Sequence, residues 1–361
     1  MSHVSLFDPV ALGPHMLRNR LVMNPMTRSR ADADAVPTDI MTTYYAQRAT
    51  AGLIVTEGVA PSANGRGYAR TPGLWNAAQV AGWTAVTSAV HAKGSVIFAQ
   101  IMHTGRVSHP GNQPAGARIV APSAIALAGQ MYTDGAGLQD YPAPEAMTEA
   151  DIHEAKAEFV TAARNAIAAG FDGVELHGAN GYLIEQFISP VTNIRTDGWG
   201  GSVDKRLRFA IEVAGAVAAA IGPDRVGIRL SPYGMASGMS PYPELEETYL
   251  TLAAALAKAG LVYLHIADHE AMGNPAIPTA FRHALRAAWP RSYIVGGSFD
   301  LAKAQAAVDD GSADLIGMGR AFLANPDLVS RLQHAQALNA PDVATFYTPG
   351  PIGYTDYPAV A

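Results

Sequence analysis

Eight times along this chain a short apolar run gives way to a stretch of helical length, and the beat closes only at the last pair. The runs are 21–24, 53–55, 96–101, 173–176, 226–230, 263–266, 293–295 and 315–318. Their partners are 41–51, 77–93, 148–169, 203–221, 244–259, 279–288, 301–310 and 327–338. None of the runs alternates between apolar and polar, as strands covered on both faces must not. Strands of that kind separated by helices build a parallel sheet, and eight is the number that closes one into a (β/α)8 TIM barrel. The competing arrangement is an open doubly wound sheet. Its dinucleotide fingerprint is missing, because Gly317 and Gly319 are followed by Phe322 where the third glycine belongs. The expected architecture is therefore α/β, a single (β/α)8 barrel domain over residues 1–361. Residues 1–20 read as an irregular lead-in. Residues 104–148, with eleven Gly or Pro among 45, read as a lid or binding excursion after strand three. Residues 340–361 read as a tail packed over one end.

In a barrel, chemistry collects where strands finish. Those positions here are Pro25, Met26 and Thr27 after the first strand, Glu57 and Gly58 after the second, and Gln100 and His103 after the third. They continue with His177, Asn180 and Tyr182 after the fourth, Arg229 on the fifth and His265 on the sixth. The last two strands end in Gly296-Gly297-Ser298 and Gly317-Met318-Gly319-Arg320. Glycines after strands seven and eight let backbone N–H groups approach an anion, and Arg320 adds a forked cation, so this pair reads as a phosphate cradle. Arg229 is always charged and needs an anion inside a barrel. The densest stretch is DGVELHGANGYLIEQF, residues 172–187. It runs from a buried strand into a turn loosened by Gly178 and Gly181 that carries His177, Asn180 and Tyr182. Histidine and asparagine can both donate to one carbonyl oxygen, and tyrosine can donate a proton. Against this stands the plainer reading of a satisfied core histidine and a turn asparagine.

Composition removes several alternatives. With no cysteine there are no disulfides, thiolate metal sites, cysteine nucleophiles or cysteine-held iron–sulfur clusters. A net charge of −6 without a run of Lys or Arg argues against nucleic acid or an anionic membrane surface as partner. The first twenty residues lack an apolar core of signal length. The longest apolar candidate, 248–267, contains Lys258 and breaks at Gly260. A soluble cytoplasmic protein is expected.

The chain also resembles a known family. NRLVMNPMTRSRA, YYAQRATAGLIVTEG, GYARTPGLW, QIMHTGRVSHP, GFDGVELHGANGYLIEQFISPVTNIRTDGWGGS, GIRLSP, GMGRAFLANPDLV and GYTDYP read like the old yellow enzyme family of FMN-dependent ene-reductases. The bacterial members that reduce N-ethylmaleimide and nitrate esters are the nearest in pattern. The likeness covers nearly the whole chain. It implies tightly bound, non-covalent FMN, with NADPH or NADH as hydride donor and alkenes conjugated to carbonyl or nitro groups as substrates. Carried over by motif, Thr27 would bond the flavin C4 carbonyl, and Pro25, Met26 and Gly58 would touch the ring. Gln100 would bind the pyrimidine edge, and Arg229 would stand by N1 against the charge of the reduced ring. Gly297, Gly319 and Arg320 would hold the phosphate. His177 and Asn180 would grip the substrate's activating oxygen, Tyr182 would be the proton donor, and Tyr68, Met102 and Tyr354 would line the substrate cavity. Asn180 departs from the many bacterial members that have histidine there, and Met102 from those with tryptophan. A monomer or a homodimer is compatible with the resemblance. The alternative on the same barrel is a metal-dependent hydrolase using His177, His265, Asp268, His269 and Glu270.

Overall fold

The computed structural model describes residues 4–360. Its centre is a closed parallel barrel of β1 (Leu21–Met23), β2 (Leu53–Val59), β3 (Val96–Ile101), β4 (Gly173–Gly178), β5 (Val226–Leu230), β6 (Tyr263–Ala267), β7 (Ser292–Gly296) and β8 (Leu315–Met318). The strands pair in chain order and β8 returns to β1. All eight expected strands are present. Around them lie α1 (Asp39–Gln47), α2 (Ala77–His91), α3 (Glu149–Ala168), α4 (Val203–Ile221), α5 (Leu245–Lys258), α6 (Thr279–Ala288), α7 (Leu301–Asp309) and α8 (Leu328–Gln333).

Local rules set these elements. On α3 the buried residues Ile152, Ala155, Phe159, Ala162, Ala163 and Ala166 fall on one face at helical spacing. Its start is a reciprocal cap: Thr148 Oγ1 accepts from the Asp151 N–H, and Asp151 Oδ2 accepts from the Thr148 N–H. The α2 start is built alike from Asn76 and Gln79. The main core lies between the strands and these helices. A second core fills the barrel floor with Val22, Val55, Phe98, Tyr263, Ile294 and Leu315.

Three parts differ from expectation. The lead-in is not irregular: Val10–Leu12 pairs with His15–Leu17 as a hairpin, turned at Gly13 in the left-handed region. Leu12 and Leu17 from it join the floor core, so the hairpin seals the end opposite the strand C-termini. The excursion after β3 carries its own short strands, including a hairpin of Gln130–Thr133 with Gly137–Asp140. A short helix, Arg320–Ala324, follows β8 directly, and α8 is shorter than the 327–338 expected.

Buried arginines hold the tail. Arg30 donates to the carbonyls of Thr345, Phe346, Gly350 and Ile352, and Arg28 to those of Phe346 and Gly353. Arg48 donates to Leu323 and Tyr354. Burial drives the Arg30 guanidinium down to about 10, and carbonyl oxygens from the tail are what keep its N–H groups satisfied. No helix among the described residues is long and apolar enough to cross a membrane.

Candidate active site

Two cavities open at the C-terminal ends of the strands, and Met26 and Thr27 divide them. The first, of about 490 Å³, is lined by Asn24, Pro25, Met26, Arg229, Asp268, His269, Gly296, Gly297, Ser298, Gly319 and Arg320 among others. The second, of about 740 Å³, is lined by Thr27, Tyr68, Arg70, Met131, Tyr132, Asp134, Tyr141, Tyr182 and Tyr347 among others. Of the residues expected to touch a cofactor, Pro25, Met26, Arg229, Gly297, Gly319 and Arg320 line the first cavity, but Thr27 lines the second; of those expected at the substrate, Tyr68 and Tyr182 line the second.

Register places the strand-end polar groups. Gly58 pairs with Gln100, Gln100 with Glu175, His177 with Arg229, and Arg229 with His265. Gln100 Nε2 donates to Glu175 Oε1 at 2.8 Å, and His265 Nδ1 lies 2.8 Å from Glu175 Oε2. The first contact uses one of the two N–H bonds of the Gln100 amide. Burial works against the Glu175 charge, but His265, Arg229 and Gln100 outweigh it and hold the carboxyl below its ordinary range.

Three buried polar atoms here have no partner among the described residues: Arg229 Nε, His265 Nε2 and Asn24 Oδ1. Buried groups of this kind are almost always paired, so a polar ligand is called for. Protein side chains already fill the space beside two of the glycines here. A Cβ on Gly317 would clash with Asn24 Oδ1, and one on Gly296 would lie 2.8 Å from His265 Nε2. At Gly297 a Cβ would meet nothing closer than 3.5 Å, so no protein atom requires a glycine there. A flat heterocycle with amide edges, carrying a phosphate towards Gly297, Gly319 and Arg320, suits this donor set; FMN has that shape and chemistry. Asp268 and Asp300 border the same space, but Asp268 is paired with Arg282 and Asp300 accepts from the Lys303 N–H at the start of α7.

The turn after β4 is built to present three side chains. Asn180 and Gly181 are both left-handed, at φ 59° and 76°. A Cβ on Gly181 would sit 2.7 Å from Ser237 Cβ, so glycine is needed there on both counts. Beneath the turn, Glu185 accepts from the Gly181 N–H at 2.6 Å, from Ser231 Oγ and from Tyr249 Oη; the Asn180 N–H in turn donates to Ser231 Oγ. His177 Nδ1 accepts from the Ala179 N–H at 3.2 Å. A backbone N–H can only donate, so Nδ1 carries no proton and Nε2 must. Burial, then Arg229, pushes the imidazole pKa well below its usual value, so it is a neutral donor.

Tyr182 stands edge-on to His177, their ring centres 4.8 Å apart, and its hydroxyl is 2.9 Å from that of Tyr68. Burial pushes Tyr182 up to about 12 and Tyr68 well above its ordinary value, so both keep their protons near neutrality. With Tyr68 as donor in the pair, the Tyr182 hydrogen is free to point into the cavity.

Some expected residues are placed elsewhere. Tyr354 lines neither cavity: it is fully buried, stacked on Tyr44 at 4.1 Å among the arginines that hold the tail. Tyr347, seven residues earlier, lines the second cavity instead. Met102 is buried with its Sδ and Cε packed on Gly58. The residues imagined as metal ligands have other partners: His265 pairs with Glu175, Asp268 and Glu270 with Arg282, and His269 with Asn180. Among the described residues no group of three or more such side chains could hold a metal ion.

Sequence reasoning missed Asn24, Glu175, Glu185 and the wall formed by Met131, Tyr132, Tyr141 and Tyr347. A charged residue between Val174 and Leu176 in an otherwise apolar strand was a signal for Glu175. For the wall there was none beyond the density of tyrosines.

Barrel, glycine cradle, unpartnered strand-end donors and a tyrosine-lined cavity above them define a flavin-dependent oxidoreductase. Comparison with known proteins bears this out. Residues 5–339 match the NADH:flavin oxidoreductase / NADH oxidase family, and the chain belongs to that family, whose members include the old yellow enzymes. It is 44% identical to a chanoclavine-I aldehyde reductase of Penicillium roqueforti, over 98% of this chain and 95% of that one. It is 42% identical to a probable flavin mononucleotide-dependent alkene reductase of Leishmania infantum, over 98% and 97%. Morphinone reductase superposes with a TM-score of 0.95 at 44% identity, over 99% and 97%, and has also been solved in complex with tetrahydroNAD. The metal-dependent hydrolase has no support from these relatives.

Proposed function

We propose that this protein is an ene-reductase that uses bound FMN and NAD(P)H to reduce alkenes conjugated to a carbonyl or nitro group. The observation that carries the reading is the turn after β4. It places His177, a neutral imidazole donor, edge-on to Tyr182, a protonated phenol that lines the second cavity, and carries the Asn180 carboxamide between them in the chain. Pro25, Met26, Thr27, Gly58, Gln100, Arg229, Gly297, Gly319 and Arg320 would hold FMN, which when bound would supply the hydride needed at the alkene β carbon. His177 Nε2–H and the Asn180 amide donate to the activating oxygen as negative charge gathers on it. Each such preplaced donor is worth about 3 kcal/mol in comparable sites. Tyr182 delivers its proton to the α carbon, so hydride and proton together saturate the double bond. Tyr68, Tyr132, Tyr141 and Tyr347 wall the substrate and exclude water, with residues 104–148 acting as the lid.

A visible spectrum tests the reading. The purified protein is expected to carry a flavin band that NADPH bleaches under nitrogen and cyclohexenone restores. A protein that does not take up FMN, or whose bleached form is indifferent to every enone, would refute it.

A further inference from the structure

We infer that His269 is a positioning residue that sets which end of the Asn180 carboxamide faces the substrate. The inference rests on the role of Asn180 proposed above. A carboxamide has two ends of nearly equal size and opposite polarity. With Nδ2 forward it donates to an oxyanion; with Oδ1 forward it repels one. The turn does not settle this. The Asn180 backbone is pinned by its N–H to Ser231 Oγ at 2.8 Å and by the neighbouring Gly181 N–H to Glu185, but neither contact touches the amide. Its amide has one side-chain partner among the described residues: His269 Nε2, 2.8 Å from Oδ1.

His269 is itself fixed. It lies two residues past the end of β6. The neighbouring Asp268 N–H donates to the Gly296 carbonyl at 2.7 Å, and its carboxylate is paired with Arg282. The His269 carbonyl receives the N–H groups of Met272 and Asn274. Its ring nitrogen donates to Asn180 Oδ1 either as the Nε2–H neutral tautomer or when protonated. In both states the amide NH2 is left to face away from His269. Only the Nδ1–H tautomer would let the amide turn round. An anion in the site disfavours that state, because it would meet the carbonyl oxygen. Imidazole and carboxamide thus act as two coupled rotors, and binding of an oxyanion selects the donating pair.

The test uses holoenzyme saturated with FMN and p-chlorophenol, whose phenolate oxygen stands in for the enolate. Binding is read from the long-wavelength absorbance of the phenolate stacked on the flavin. FMN affinity is measured separately, because His269 also borders the phosphate-side cavity. His269→Leu should weaken phenol binding about tenfold, the weight of one hydrogen bond to a charged group. His269→Gln should stay within about threefold of the parent, because its amide can donate to the same oxygen. On an Asn180→Ala background His269→Leu should add nothing. The inference is overturned if Asn180→Ala weakens phenol binding while His269→Leu does not. It is equally overturned if His269→Gln is as damaged as His269→Leu, or if the leucine penalty persists without the Asn180 amide. Unchanged phenol binding in Asn180→Ala would instead remove the assigned role of Asn180, and the role of His269 with it.

Discussion

Glu185 lies under the turn that carries His177, Asn180 and Tyr182 and gives a test of the electrostatics with a defined sign. It is buried, accepts from the Gly181 N–H, Tyr249 Oη and Ser231 Oγ, and is nonetheless raised from 4.5 to about 7, burial outweighing the three donors. In the unfolded chain the carboxyl is solvated and titrates near its ordinary value. Between pH 4.5 and 7 the native state therefore binds more protons than the unfolded state. Its contribution to stability is fullest below that window and is lost as pH rises through it. Integrated from pH 5 to 8, the loss is about 2–3 kcal/mol, because each pH unit inside the window is worth about 1.4 kcal/mol. Glu185→Gln abolishes the titration but brings a fixed penalty. Its amide oxygen must face the Gly181 N–H, leaving its NH2 to find an acceptor in the Tyr249 hydroxyl, for about 1–2 kcal/mol. The variant should be less stable than the parent at pH 5 and draw level with or pass it by pH 8. The melting-temperature difference should swing by roughly 3 °C over that range. Thermal unfolding of FMN-saturated protein at several pH values measures it. A difference that stays flat, or moves in the parent's favour as pH rises, would mean that the donors overcome burial and the carboxylate is ionised throughout.

Other substitutions probe the remaining parts of the site. Tyr182→Phe should leave reduction of the flavin by NADPH intact and lower enone turnover by on the order of 10²–10⁴, as loss of a positioned general acid does; stopped-flow measurement of the two half-reactions separates them. Gly297→Ala puts a methyl where no protein atom comes closer than 3.5 Å. The apoprotein melting temperature should not move, while FMN affinity, read by quenching of flavin fluorescence, should fall at least about tenfold if a phosphate approaches that backbone. Arg30→Met removes the arginine donor from the carbonyls of Gly350 and Ile352 and one of two donors from those of Thr345 and Phe346. It should cost on the order of 3 kcal/mol and expose the tail to limited proteolysis, and because Tyr347 follows directly on the loosened Phe346, substrate KM should rise.

Much of this molecule is legible in the order of residues alone. The eight apolar runs, the Thr148–Asp151 start of α3 and the glycines after β7 and β8 are local patterns. Periodicity, caps and backbone freedom act over a few residues and hold wherever the segment ends up. The stretch from Asp172 to Phe187 announced His177, Asn180 and Tyr182 for the same reason: all three lie on one strand and its turn. What could not be read there depends on partners distant in the chain. Tyr354 resembles a cavity residue by its motif, yet packs against Tyr44 because Arg28, Arg30 and Arg48 draw the tail inward, the Arg30 contact to Thr345 spanning 315 positions. The Gln100–Glu175–His265 chain joins residues 75 and 90 positions apart, and His269 reaches Asn180 across 89. A side chain's hydrogen-bonding end, its protonation and the wall it forms are set by whatever barrel closure brings within hydrogen-bonding reach. That closure is a property of all eight strands at once, and no window of sequence contains it.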